Sequence, residues 1–288
     1  MRGKAEPRRN RMSSILLIFL MLAGGAYLLV AALVYFGQTA LLFPTGAVRP
    51  AANPLPRNVE RLALRTSDGA LLHGVHLRGD HVGPRQSPVI LGFGGNAWNA
   101  EAAAIYLHGL YPGSDVVIFH FRGYRPSTGQ PSAAALLDDA STIHAFVADR
   151  FSSRPIVAIG FSIGSAAAAR IARDRPLAGL ILVTPFDSLA TVGSSHCPWL
   201  PVRALLRHPM EPARDLRGSA VPVAIIAGER DTLIPPASTA ALRRAVGNLV
   251  FDRTIEGCDH NDIYGEPAFR NAMTEALAAI VGEGRPAT

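Results

Sequence analysis

From residue 13 to residue 36 the chain reads SSILLIFLMLAGGAYLLVAALVYF, 24 residues without a charged side chain. At about 1.5 Å per residue a helix of that length spans roughly 36 Å, enough to cross a bilayer core with some tilt. Pro44, Pro50, Pro54 and Pro56 then mark residues 37–57 as an extended connector. Beyond it, short apolar runs alternate with stretches of helical periodicity. Strands are predicted at 59–66 and 71–78, joined across Asp68-Gly69 as a hairpin, and at 89–93, 115–121, 156–161, 180–184, 223–227 and 249–255. Helices are predicted at 97–107, 131–150, 163–174, 235–246 and 267–281; in the second, Leu136, Leu137, Ala140, Ile143 and Val147 fall on one face. Several strands are apolar on both faces, so the fold class is α/β, a mainly parallel sheet with helices on both faces. Ligands of such sheets gather at the carboxyl ends of the strands.

Charge changes the picture at one end only. The net charge is +6, but Arg2, Lys4, Arg8, Arg9 and Arg11 against Glu6 place +4 of it in the first eleven residues. A nucleic-acid-binding domain carries its basic surface on the fold, so that class is set aside. A basic flank before an apolar segment implies an N-terminus in the cytoplasm and a folded domain on the outer side, periplasmic in a bacterium. A cleaved signal peptide is the alternative, with Val30-Ala31-Ala32 as the cleavage site; the apolar run is longer than a signal sequence needs and continues to Phe36. The expected organisation is a tail over 1–12, an anchor over 13–36, the connector over 37–57 and a catalytic domain over 58–283. Cys197 and Cys258 match no zinc spacing, and two unpaired thiols is the favoured reading. No metal or organic cofactor is expected.

The strand ends carry the chemistry. GFSIGS, residues 160–165, puts Ser162 after a strand and before a helix, with Gly160 and Gly164 in the G-x-S-x-G spacing of a nucleophile elbow. A serine hydroxyl needs a base. His73, His76, His81, His108 and His144 are poorly placed, whereas His260, in EGCDHND, follows the last strand. The acid that orients it must come from elsewhere, because Asp259 and Asp262 are too close in sequence to reach back to the ring. Asp231, in GERDTLIPP, is preferred; Asp187, in TPFDSL, is the rival at the preceding strand end. Oxyanion donors are expected from the backbone N–H groups of Ile163 and of Asn96, in the loop GFGGNAWN.

GGNAWN, FRGYRPSTGQPS, GFSIGSAAA, TPFDSL, GERDTLIPP and GCDHND, in this order, resemble the α/β-hydrolase superfamily. More narrowly, they resemble its membrane-anchored serine hydrolases of the BEM46-like group, related to the ABHD13 and ABHD17 type. The segment YFGQTALLFPTG resembles the way such proteins leave the membrane. The likeness covers nearly the whole chain and implies an α/β-hydrolase fold. It places the triad on Ser162, Asp231 and His260 and the oxyanion hole on Asn96 and Ile163. Gly94-Gly95 stands where relatives usually have His-Gly, which bears on loop rigidity because the donor is a backbone amide. Arg122 and Tyr124 are read as braces of a neighbouring loop.

Residues 188–220 leave room only for a short cap, and HCPWLPVRALLRHPM mixes Trp199, Leu200, Leu205 and Leu206 with Arg203, Arg207 and His208. An amphipathic lid touching lipid head groups and a helix packed on the core both fit that pattern. The expected activity is cleavage of a carboxylic ester or thioester, on a lipid or an acylated protein, through an acyl-serine. Amide or peptide hydrolysis on the same triad, and a silent membrane-tethered binding protein, are the alternatives. The sequence leaves oligomeric state open.

Overall fold

The computed structural model describes residues 8–52, 54–56, 59–80, 87–152 and 154–282. Residues 1–7 of the basic tail, His81, and positions 57, 58 and 283 at the expected domain limits lie outside the described residues. The first element, α1 (Arg8–Leu42), is the one described helix long and apolar enough to cross a bilayer. Its side chains from Met12 to Val30 are all exposed.

Helix α1 ends six residues beyond the expected span, and the extended connector does not begin at residue 37. The physical reason is contact: Gln38 is buried against the folded domain, and Phe43, just past the helix, enters the core. A short 3₁₀ turn at Thr45–Ala47 then leads toward the sheet.

The chain continues through β1 (Val59–Arg65), β2 (Leu71–Leu77), β3 (Val89–Phe93), α2 (Ala100–Leu110), β4 (Val116–Phe119), α3 (Ala133–Arg150), β5 (Ile156–Phe161) and α4 (Gly164–Asp174). It finishes with β6 (Gly179–Val183), α5 (Leu189–His196), α6 (Val202–Leu205), α7 (Pro212–Asp215), β7 (Val223–Gly228), α8 (Pro236–Ala245), β8 (Leu249–Ile255) and α9 (Pro267–Val281). The eight strands form one sheet in the order β1-β2-β4-β3-β5-β6-β7-β8. The pairs β1–β2 and β2–β4 are antiparallel and the rest parallel.

Alternate residues of the central strands feed two cores. Leu91, Ala158, Leu180, Leu182 and Ile225 face the layer of α3 and α4, whereas Ile90, Val157, Ile159, Ile181 and Ile226 face that of α2 and α9. Burial on both faces is what makes β3, β5, β6 and β7 apolar throughout. The outermost strand β8 instead carries Asp252 and Arg253 and is mostly exposed, as a charge-protected edge should be. In α4 the run Ala166–Ala169 is fully buried and lets the helix lie close on the sheet.

Two helix starts differ from the periodic reading. Helix α2 begins three residues later than 97 because Asn99 caps it, accepting from the amides of Glu101 (2.9 Å) and Ala102 (3.1 Å). Ser132 does the same for α3 through the Ala135 amide at 3.1 Å. His108, expected in or beside a loop, lies on α2. The segment 188–220 folds as the short helices α5, α6 and α7, which is all the cap there is among the described residues.

Candidate active site

Ser162 follows β5 directly and holds a left-handed backbone, φ 50°. A β-carbon on Gly160 would lie 2.6 Å from the carbonyl oxygen of Gly164, and one on Gly164 would lie 2.6 Å from that of Gly94. Glycine at both places lets strand, turn and helix cross this tightly. The Ser162 amide donates to the Val183 carbonyl (2.9 Å), pinning the turn to the end of β6. The positive end of α4 therefore points at the site.

His260, in the loop between β8 and α9, places Nε2 3.0 Å from Ser162 Oγ and Nδ1 2.8 Å from Asp231 Oδ2. Those partners assign the proton to Nδ1 and leave Nε2 to accept from the serine hydroxyl. Asp231 and His260 are both buried. Asp231 Oδ1 accepts from the amides of Leu233 (3.0 Å) and Ile234 (2.7 Å), so both oxygens are held in orientation. Asp187 is engaged elsewhere: Ser238 Oγ donates to its Oδ1 (2.6 Å) and Thr191 Oγ1 to its Oδ2 (2.9 Å). The rival acid thus ties α5 to α8 and has no part in the imidazole contact.

A link that sequence reasoning missed runs through Asp259. Its Oδ1 accepts from the amides of Thr232 and His260, both at 2.7 Å, which joins the acid loop to the base loop. Those amides, that of Thr232 foremost, hold its carboxyl below the usual range. The signal was an Asp immediately before the candidate base and a Thr immediately after the candidate acid.

Neither the Ile163 nor the Asn96 amide donates to a backbone carbonyl among the described residues. The loop carrying Asn96 runs beside the nucleophile; a β-carbon on Gly95 would sit 3.8 Å from Ser162 Cβ. Asn96 is fixed at both ends of its side chain. Tyr124 donates its hydroxyl to Oδ1 (2.6 Å), and Nδ2 donates to the Leu42 carbonyl at the end of α1 (2.9 Å). Tyr124 therefore braces the candidate oxyanion loop itself. Arg122 instead forms a buried pair with Asp139 (2.6 Å) and a second pair with Asp68.

Ser162 opens into a cavity of about 320 Å³ walled by Asn96, Trp98, Leu233 and Tyr264 among others. Trp98 packs its ring 5.1 Å from Phe161 and 5.4 Å from Tyr264. Burial pushes the phenols of Tyr106 and Tyr264 up to about 12, so this wall carries no charge at neutral pH. A larger cavity, about 850 Å³, is lined by Thr45, Pro50, Leu55 and Arg61 among others and includes none of the three relay residues. Among the described residues no group of three or more His, Cys, Asp or Glu side chains is placed to hold a metal ion. Cys197 and Cys258 are both free thiols.

A serine, a buried imidazole and a buried carboxylate in one hydrogen-bonded row, beside two unspent amides, can carry acyl transfer. No family model matches the chain. It is 31% identical over 261 residues to an uncharacterised protein of Mycobacterium tuberculosis, covering 88% of this chain and 90% of that one. It is 28% identical to the protein bem46 of Schizosaccharomyces pombe, over 82% of this chain and 83% of the other. With the lysophosphatidylserine lipase ABHD12 of Danio rerio it shares 27% identity over 67% of its own length and 58% of the relative's. Among solved structures, the Pyrococcus furiosus esterase Pf2001 superposes with a TM-score of 0.63 at 18% identity, over 80% of this chain and 96% of that one.

Proposed function

Since the chain belongs to the α/β-hydrolases, in the group that includes bem46 and ABHD12, we propose that it is a membrane-anchored serine hydrolase cleaving carboxylic esters or thioesters through an acyl-Ser162 intermediate. The observation that carries this reading is the row from Ser162 Oγ to His260 Nε2 and from His260 Nδ1 to Asp231, with Ser162 and His260 lining the cavity. In the proposed reaction His260 takes the hydroxyl proton as Oγ attacks the acyl carbon. The oxyanion accepts from the amides of Ile163 and Asn96 while Asp231 holds the imidazolium. His260 then protonates the departing alcohol or thiol, and a water molecule, deprotonated by the same imidazole, releases the acid and restores Ser162.

The uncharged aromatic wall and the lipase among the relatives favour a lipid or acylated substrate. The exposed apolar α1 supports anchoring, and the basic residues before it support a cytoplasmic N-terminus with the catalytic domain outside.

The test is covalent labelling of the full chain in detergent by a fluorophosphonate probe. Labelling is expected in the wild type and in Asp187→Asn, and it is expected to vanish in Ser162→Ala. A folded wild-type protein that takes no label would overturn the proposal. A labelled protein that turns over amides and not esters or thioesters would replace it with a peptidase or amidase.

A further inference from the structure

The last turns of α1 are built into the cap. From Ala31 onward the helix has two faces: Val34, Tyr35, Gln38 and Thr39 turn toward protein, while Leu33, Phe36 and Leu41 stay exposed. The cap segment runs beside the first face. Gln38 Nε2 donates to the Leu205 carbonyl (2.7 Å), and its Oε1 accepts from the Arg207 amide (2.9 Å). The Arg207 guanidinium lies 5.3 Å over the Tyr35 ring, and Thr39 Oγ1 is 2.9 Å from His208 Nε2. Farther down, the Tyr27 hydroxyl donates to the Trp199 carbonyl (3.2 Å), and the two rings meet edge to face at 6.3 Å. The cap tip is therefore level with Tyr27, about 22 Å along the helix from Leu42.

Depth follows from counting. Arg11 is the last charge before the apolar stretch. A hydrocarbon core of about 30 Å takes about 20 helical residues, which from Met12 reaches to around Ala31. Tyr27 falls inside that limit, and Tyr35 falls just beyond it. We infer that the tip of the cap is itself seated in the outer leaflet. Trp199 packs among acyl chains just inside the interface, and the exposed Arg203 and Arg207 meet the phosphates above it. The inference rests on the reading of α1 as a membrane anchor. Two further observations support it. Trp199 is 54% exposed on a domain whose other large side chains are mostly buried, and tryptophan favours that interface because its ring is apolar and its N–H polar. A 140 Å³ groove between α1 and the cap, lined by Val34, Leu41, Leu200 and Leu205 among others, continues the lipid-facing surface of the anchor.

This surface adjoins the catalytic mouth. The His196 ring, at the end of α5, is hydrogen-bonded to the Leu233 carbonyl (2.8 Å), and Leu233 is an exposed rim residue of the Ser162 cavity. The partner of the cap is thus the bilayer, and the substrate class is an ester lipid that resides in that leaflet and reaches Ser162 along it.

The test uses the full chain in phosphatidylcholine vesicles carrying brominated acyl chains. Trp98→Phe leaves Trp199 as the one tryptophan of the two in the chain. Quenching of Trp199 by the brominated lipid, with shielding from aqueous iodide, is expected. Quenching by iodide alone would overturn the inference, and so would shielding from both quenchers with cross-linking through Trp199 of two copies. Loss of the protein from vesicles under an alkaline wash would instead remove the anchor reading beneath it. In the otherwise native chain, Trp199→Glu is expected to lower the ratio of vesicle-lipid to soluble-ester turnover about tenfold, a change of about 1.4 kcal/mol. Trp199→Phe should restore most of it. An unchanged ratio in Trp199→Glu would overturn the proposal.

Discussion

At Gly164 a methyl group would meet the backbone of the neighbouring loop, and at Gly160 it would meet the backbone of the turn itself. Neither neighbour is a side-chain tip that can swing away. Gly164→Ala is expected to cost about 1–3 kcal/mol, measured by denaturant unfolding in detergent, and to lose probe labelling with it. The acids divide just as sharply. Asp231→Asn keeps a side chain of the same shape but can turn the imidazole to the wrong tautomer; a fall in turnover of roughly 10⁴-fold is expected from an ester assay. Asp187→Asn should leave turnover near the native level and lower the melting temperature instead, because Ser238 and Thr191 are its partners. The sequence narrowed the acid to these two positions and preferred Asp231. Which of them faces His260 depends on where two loops meet in space, and no local pattern encodes that.

At the scale of elements, the Asn96 loop joins three pieces of chain: the end of β3, the turn after β4 through Tyr124, and the end of α1 through Leu42. Each bond is of ordinary strength, about 0.5–1.5 kcal/mol. Asn96→Ala removes both and is expected to lower kcat about tenfold with KM nearly unchanged; Tyr124→Phe removes one and should lower it less. Steady-state kinetics on a soluble ester decides the matter, and a change confined to KM would mean that the bonds hold substrate rather than the loop. The caps Asn99 and Ser132 fell inside the expected helices, because the periodicity reading set both starts two or three residues early and periodicity does not mark the first turn. The six extra residues of α1 were not legible, because Gln38 and Thr39 look like the start of a polar connector until their partners on the cap are known.

For the whole molecule, acid stability follows from buried imidazoles. Burial holds His120 down to about 4 from 6.5, and it lowers His144 and His208 as well. Between those two values the unfolded chain takes up a proton on His120 that the folded protein refuses. Stability is therefore full above about pH 6.5 and falls as pH drops toward 4, with His120 contributing roughly 3 kcal/mol of that fall. Thermal unfolding in detergent should show His120→Gln with a shallower decline over this window. The order of strands and helices, the small residues of the elbow and the positions of the candidate nucleophile and base were all set by the sequence, because periodicity and turn chemistry act between near neighbours. Sheet order, the partners of the two candidate acids, the brace on Asn96 and the seating of the cap on the anchor were decided only by the tertiary structure. Interior strands that are apolar on both faces carry no local mark of which strand lies beside them, and contacts such as Ser162 with His260, 98 residues apart, exist only once that order is fixed.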